Sequence, residues 1–552
     1  MPIQSPLLPD QLRYRLRLNP KLGAGNFLHY AYALNAGRDV PLIHSDEPFT
    51  VLGGRQLSVM SIAELKDITD RYAAWFIAHG IEPMDPVAVY CREGVQYLIQ
   101  YAALTAIGAV PVLTNGTMES EIAAQHSRRV GAVGIVTDRD HQATLAPHFG
   151  NGGLKCFDCV ENIPGGDPSN LPPWFPFRHD YDDPVMVTHS SGTTGIPKPV
   201  MLQHGRWFHG IRHLLSLEMA QGANRYLSSL PASHNASIAY AIHAILNGAA
   251  LMIMGDRSGK SVAKAIECFH PASVVSFPQT FVELAELDPN GYDLSSVTAW
   301  INSGDAAHET HIRRLVAHGY HYRGAERVLG SQFVDGLGSS EMGHSCFRII
   351  HTPYTDSYDR CVGLPQTWIE AAVLDVNGEP APIGVIGRLG IRSPSVTMGY
   401  WNDSLLTYKS RLRGYWLTGD LVYRDHLGCY YQVDRVSDVI PTPGGPLYSL
   451  QTEELILKHQ PRLVDCTVIG VIDRNIKDGT QVPVVLVILR AGYSINTEAL
   501  LDEINIVQAA KGRPPLARVY AVDHSEIPLG VTGKVLKRTL RERLRFGTDA
   551  VG

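Results

Sequence analysis

The densest group of chemically capable residues lies between Thr188 and Lys198, where Thr188, Ser190, Ser191, Gly192, Thr193, Thr194 and Gly195 lead into a lysine. The group follows a strand-like run at 185–187 and precedes a helical run at about 205–219. A glycine- and hydroxyl-rich turn in that position can wrap backbone N–H groups and hydroxyls around phosphate oxygens. The Walker spacing is absent, so this is not the loop of the P-loop nucleotide hydrolases. A flexible surface turn is the plainer alternative. Two glycines and five Ser/Thr beside a lysine are unusual for one and favour a phosphate site. Cys156 and Cys159 form a single CxxC, but no second Cys or His pair follows at zinc spacing, so two ordinary thiols are expected.

Strand-like and helix-like segments alternate around this loop. Residues 61–79 read as an amphipathic helix with Leu65, Ile68, Tyr72 and Trp75 on one face. Ser61 and Glu64 make a capping box, and Gly80 stops the helix. Buried strands are expected at 86–91, 110–114 and 131–137, with helices between them. Such alternation predicts an α/β protein with largely parallel sheets. The apolar stretch 236–254 is interrupted by His243, Asn247 and Gly248, and reads as helix, turn and strand rather than a membrane span. A turn-rich stretch is expected at 413–428. A separate small α+β domain with a helix at 497–508 is expected after it, so the chain divides into 1–434 and 435–552.

The 552 residues exceed one average domain of roughly 100–150 residues. Apolar residues are 45% and charged residues 18%, and 48 Lys+Arg against 54 Asp+Glu leave a formal charge of −6. That balance speaks against nucleic acid or an anionic membrane surface as the main partner. Eight sparse cysteines and a first segment without a signal-type apolar core point to a cytoplasmic protein.

Taken together, four ordered segments give the chain a marked resemblance to the adenylate-forming superfamily, which includes acyl-CoA synthetases and peptide-synthetase adenylation domains. They are the 188–198 loop, the segment Gly338 to Glu341, the segment Trp416 to Asp420, and the loop Pro528 to Lys534. Weaker matches are Ser303 to Ala306 and Gly399 to Trp401, and the similarity spans roughly 50–545. It implies a large body of stacked mixed and parallel sheets with a β-barrel-like part, and a small mobile lid. It also implies a first step in which a carboxylate attacks the ATP α-phosphate to give acyl-AMP, and a second in which the CoA thiol takes the acyl group.

By that resemblance Lys534 is the catalytic lysine, beside Gly533, and Glu341 holds magnesium. Asp335, Gly336, Leu337, Gly338 and Ser340, with Gly304, Asp305 and Ala306, flank the adenine. Asp420 and Arg435 hold the ribose, and Ser437 is the hinge. Gly444 and Gly445 admit pantetheine. His234, Phe277, Pro278 and Phe281 surround the acyl group. Each has a bland alternative: a solvated lysine in a basic tail, a surface glutamate, a turn-capping aspartate, a structural histidine, ordinary core.

Three departures stand out: Pro199 follows Lys198 where glycine is usual, Leu337 replaces the aromatic that stacks on adenine, and Ser437 occupies the hinge. Asn235 stands where amino-acid-activating members carry an aspartate. The expected activity is therefore an acyl-CoA ligase for a non-amino-acid carboxylic acid, using ATP (or preformed acyl-AMP), Mg2+ and coenzyme A. The alternatives are an enzyme for the thioester half-reaction alone, a ligase loading a carrier-protein thiol, or a nucleotide-binding protein without turnover.

Overall fold

A computed structural model describes residues 7–150, 153–190, 196–217, 224–304, 307–356, 358–472, 479–530 and 534–544. Ser61 caps the helix Ile62–Ala78, and the capping box with Glu64 forms in both directions. The helix buries Ile62, Leu65, Ile68, Tyr72 and Phe76 in the main core, which explains its apolar stripe. The stretch near 236–254 becomes the helix Asn235–Asn247, a left-handed turn at Gly248 and the strand Ala250–Ile253. Among the described residues, no helix is long and apolar enough to cross a membrane.

Two large sheets form the body. The six-stranded one runs in the order Cys156–Cys159, Gly134–Thr137, Pro86–Tyr90, Val110–Leu113, Pro184–Ser190, Lys198–Gln203. All its neighbours are parallel except the last pair. Pro199 sits on that last strand, opposite His189. An edge strand needs no ladder N–H from the residue, so the proline is accommodated there.

The fourteen-stranded sheet has two halves. Gln332–Asp335, Ala299–Asn302, Ser273–Ser276, Arg225–Ser228, Ala250–Ile253 and Pro41–Val51 are mutually parallel. From Phe347–His351 onward, through Cys361–Pro365, Tyr430–Arg435, Tyr415–Arg424, Gly387–Arg392 and Glu370–Leu374, every pair is antiparallel. The expected barrel-like part is thus an open antiparallel extension of the sheet; beyond its outermost described strand, Glu370–Leu374, lies only an isolated bridge from Leu374 to Pro380. The expected turns at 413–428 are mostly the ten-residue strand Tyr415–Arg424, in which Gly419 takes φ +84°.

A smaller C-terminal domain follows. It has the strands Leu463–Val471, Val482–Leu489 and Arg518–Ala521, with the helices Ser449–His459 and Thr497–Ala510 against them. Val282 of the body joins its second apolar cluster with Val464, Ile469 and Leu540.

Candidate active site

Four neighbouring parallel strands release the expected site segments from their carboxyl ends. Ser228 leads to Leu230 and His234, Ser276 to Phe277, Asn302 to Gly304, and Asp335 to the segment ending at Glu341. The last of these strands lies where the sheet changes from parallel to antiparallel. Ligands of open α/β sheets bind in crevices outside the carboxyl ends of the parallel strands. Gly336 is needed there, because a Cβ would lie 2.2 Å from the Phe347 carbonyl oxygen of the returning strand.

The loop positions Ser191, Gly192, Thr193, Thr194 and Gly195, together with Asp305, Ala306 and Gly533, lie outside the described residues. Of the flanking residues, Ser190 donates its hydroxyl to Glu341 Oε1 at 2.9 Å, and Tyr400 donates to the same oxygen at 3.0 Å. Burial and the Glu341 charge push the Tyr400 phenol far above its ordinary range, so it remains a donor. The Lys198 ammonium lies 5.8 Å from the centre of the Tyr400 ring. Thr188 instead points into the strand core, fully buried, and does not join this group. Glu341 is a buried oxygen donor, of the kind Mg2+ takes singly when substrate phosphates complete its shell.

His234 caps the helix Asn235–Asn247 and its Nδ1 accepts the Ala236 N–H at 3.2 Å. Burial, then the charges of His189 and Lys534, bring its pKa down to about 3. The ring is neutral at working pH, and with Nδ1 accepting, Nε2 carries the proton. The Lys534 charge is near enough to act on the His234 ring. Phe277 meets the imidazole edge-on at 5.1 Å and clusters with Leu230, Tyr240 and Ile301. Pro278 opens the following helix. Phe281 does not join them: it packs on Trp300 and Phe333 in a separate core. Leu337 likewise turns into the core around Phe347 and Met342. Asn235 Oδ1 accepts from Ser340, tying this helix to the Glu341 segment.

Of the two residues expected at the ribose, Asp420 is buried and its Oδ1 lies 3.2 Å from Arg435 Nε and 3.4 Å from Gln432 Nε2. Burial pushes Asp335 upward against its hydrogen bond from Asn302. Ser437 is exposed in the turn after Arg435. Gly444 and Gly445 form a hairpin turn whose nearest neighbour is Pro514, and no contact with His234 or Glu341 appears. Sequence reasoning missed the Tyr400 hydroxyl, Gln432, and the cradle in which Glu93 accepts from Ser233 and Gly116. The segment Gly399 to Trp401 carried a weak signal for the first; the others had none.

Residues 44–401 match the family described as AMP-binding enzyme, and the chain belongs to this adenylate-forming superfamily of ligases. It is 40% identical to a 3-aminoavenalumate diazotase of Streptomyces sp., over 97% of this chain and 98% of that one. It is 25% identical to a 3-amino-2-hydroxy-4-methoxybenzoate diazotase of Streptomyces cremeus, over 94% of each. In fold it is similar to an anthranilate CoA ligase in complex with anthranoyl-AMP, with a TM-score of 0.81 at 18% identity, over 98% of this chain and 99% of that one.

Proposed function

We propose that this chain is an ATP-dependent diazotase that activates nitrite as an adenylate and delivers its nitrogen to the amine of an aromatic carboxylic acid. The observation that carries this reading is the 40% identity to a diazotase along nearly the whole of both chains. Nitrite, like a carboxylate, is a bent oxyanion, so it suits a site arranged for carboxylate attack on the α-phosphate. A nitrite oxygen forms a bond to that phosphorus as the bond to pyrophosphate breaks. The lone pair of a neutral aryl amine then bonds the nitroso nitrogen while its bond to the AMP oxygen breaks. One amine proton leaves, the second moves to the nitroso oxygen, and a solvent proton releases that oxygen as water. The products are an aryl diazonium ion, AMP and pyrophosphate, and no external oxidant or reductant is consumed.

The site residues take roles in this scheme. Lys534 and the Nε2–H of His234 meet the negative oxygen where charge develops. Glu341, Ser190 and the 191–195 loop would hold the magnesium polyphosphate, with Asp420 and Arg435 at the ribose and Gly304 with the Asp335–Gly338 segment beside the adenine. The wall of Phe277, Leu230 and Tyr240 suits an aryl ring. A carboxylate at position 235 would hold the amine as an unreactive ammonium; the neutral Asn235 leaves its lone pair available. The part after Arg435 serves as the moving lid, hinged at Ser437.

A second reading, a CoA ligase for an aromatic acid, is favoured by the open Gly444–Gly445 turn. The test is pyrophosphate exchange with ATP at pH 8, with nitrite or with a panel of aminated aromatic acids. Diazonium is then trapped by azo coupling. Nitrite-dependent exchange and a coupled dye are expected. Exchange driven by the aromatic acid alone, with thioester formed on CoA or a carrier thiol, would sink the diazotase reading.

A further inference from the structure

Glu454 lies on the small domain's helix Ser449–His459, yet its carboxylate is buried against the body. Its Oε2 is 2.7 Å from His308 Nδ1, and its Oε1 accepts the Glu309 N–H at 3.1 Å. Arg360 Nη1 lies 3.9 Å from the same Oε2 and donates at 2.6 Å to the carbonyl of Ala307, directly after the adenine segment. Arg360 Nη2 donates at 2.8 Å to Gln432 Oε1, and Gln432 reaches Asp420 Oδ1. The Arg360 carbonyl also accepts the Gln432 N–H at 3.0 Å. Glu454, Arg360, Ala307 and Asp335 line one small cavity. Arg360 holds φ +62°, a conformation a bulky residue keeps only when its surroundings enforce it.

We propose that Glu454 is a positioning residue for the nucleotide: arriving with the small domain, it fixes Arg360, which through Gln432 orients Asp420 toward the ribose hydroxyls. The chain of contacts runs Glu454, Arg360, Gln432, Asp420, and each link joins a buried charged or amide group to the next. Without Glu454, Arg360 keeps its charge but loses the anion that sets its height between Ala307 and Gln432. The Gln432 amide then has no fixed donor to hold its orientation, and Asp420 loses the Gln432 N–H that, with Arg435, sets its direction. Docking of the small domain and recognition of the sugar thereby share one set of side chains. The inference rests on the reading of Asp420 as the ribose-holding residue.

The test compares ATP·Mg2+ with 2′,3′-dideoxy-ATP·Mg2+ by calorimetric titration of the full chain. Glu454→Gln should weaken ATP about tenfold, a coupling of ordinary size, and leave the dideoxy nucleotide nearly unchanged. Gln432→Met, which breaks the relay without touching the small domain, should show the same selectivity and keeps the test valid where Glu454→Gln is poorly folded by thermal melting. Equal losses for both nucleotides, or none, would mean a docking contact only and overturn the proposal. Asp420→Asn separates the two ideas. If it too fails to discriminate the nucleotides, the ribose reading falls and the inference falls with it. If it discriminates and the relay variants do not, only the inference falls.

Discussion

At His234 the occupied Nδ1 decides what the ring can contribute. A histidine whose acceptor is already engaged and whose pKa is about 3 is a fixed N–H donor, not a base. His234→Asn should therefore lower the rate of adenylate formation about a hundredfold, as loss of an oxyanion donor does. Its pH–rate profile between pH 5 and 9 should keep the shape of the parent's; a lost inflection near neutrality would contradict the assignment. Tyr400 acts at one remove. Removing its hydroxyl in Tyr400→Phe leaves Glu341 Oε1 with Ser190 as its described hydroxyl partner. The Mg2+ concentration for half-maximal activity should rise about tenfold, the usual cost of losing a partner of a metal ligand.

Among the elements, the strand ends were legible and the strand partners were not. The segments near His234, Gly304, Glu341 and Asp420 each announce themselves within a few residues, because a tight loop needs particular residue types locally. Gly304 shows why: it takes φ +87°, and a Cβ there would lie 2.5 Å from the Phe277 ring. Gly304→Ala should lower the melting temperature by an amount matching about 1–3 kcal/mol. Adding Phe277→Leu should recover part of that loss, and strict additivity of the two changes would deny the contact. By contrast, the strand Tyr415–Arg424 read as turns, since Gly414, Gly419 and Gly428 punctuate it. They serve its two ends and an irregularity, marked by register shifts against both neighbours. Phe281 was misplaced for a related reason. A helix turns successive aromatics to different faces, and only packing reveals which one meets the site. Gln432 and Arg360 touch across 72 residues of sequence, a distance over which no local pattern carries information.

At the scale of the whole molecule, the two domains are joined by charge as well as by the Val282 cluster. Arg490 of the small domain bonds Glu286 of the body, which also takes Arg314 at 3.0 Å. Burial opposes a charged His308, but the hydrogen bond and charge of Glu454 outweigh it and raise its pKa; Arg360 works against this, and Asp465 adds to it. Glu309, with Lys458 at 3.2 Å, and the neutral-leaning His311 complete its surroundings. A histidine raised on docking gives stabilisation that is full below its ordinary 6.5 and lost as pH climbs through the raised value. Protease cleavage in the 436–439 turn should accordingly become faster above neutrality, and His308→Gln should flatten that rise. Cleavage independent of pH in the parent chain would refute the linkage. The strand Tyr430–Arg435 gives this joint its character. Gln432 and Asp434 flank the register shift in this strand, the first bonded to Asp420, the second holding Ser449 at the start of the small domain's helix. One short ribbon thus serves as both floor and tether. A pull on the small domain would be transmitted along it as tension, so strain applied at Ser449 reaches the Gln432–Asp420 contact through three residues of backbone.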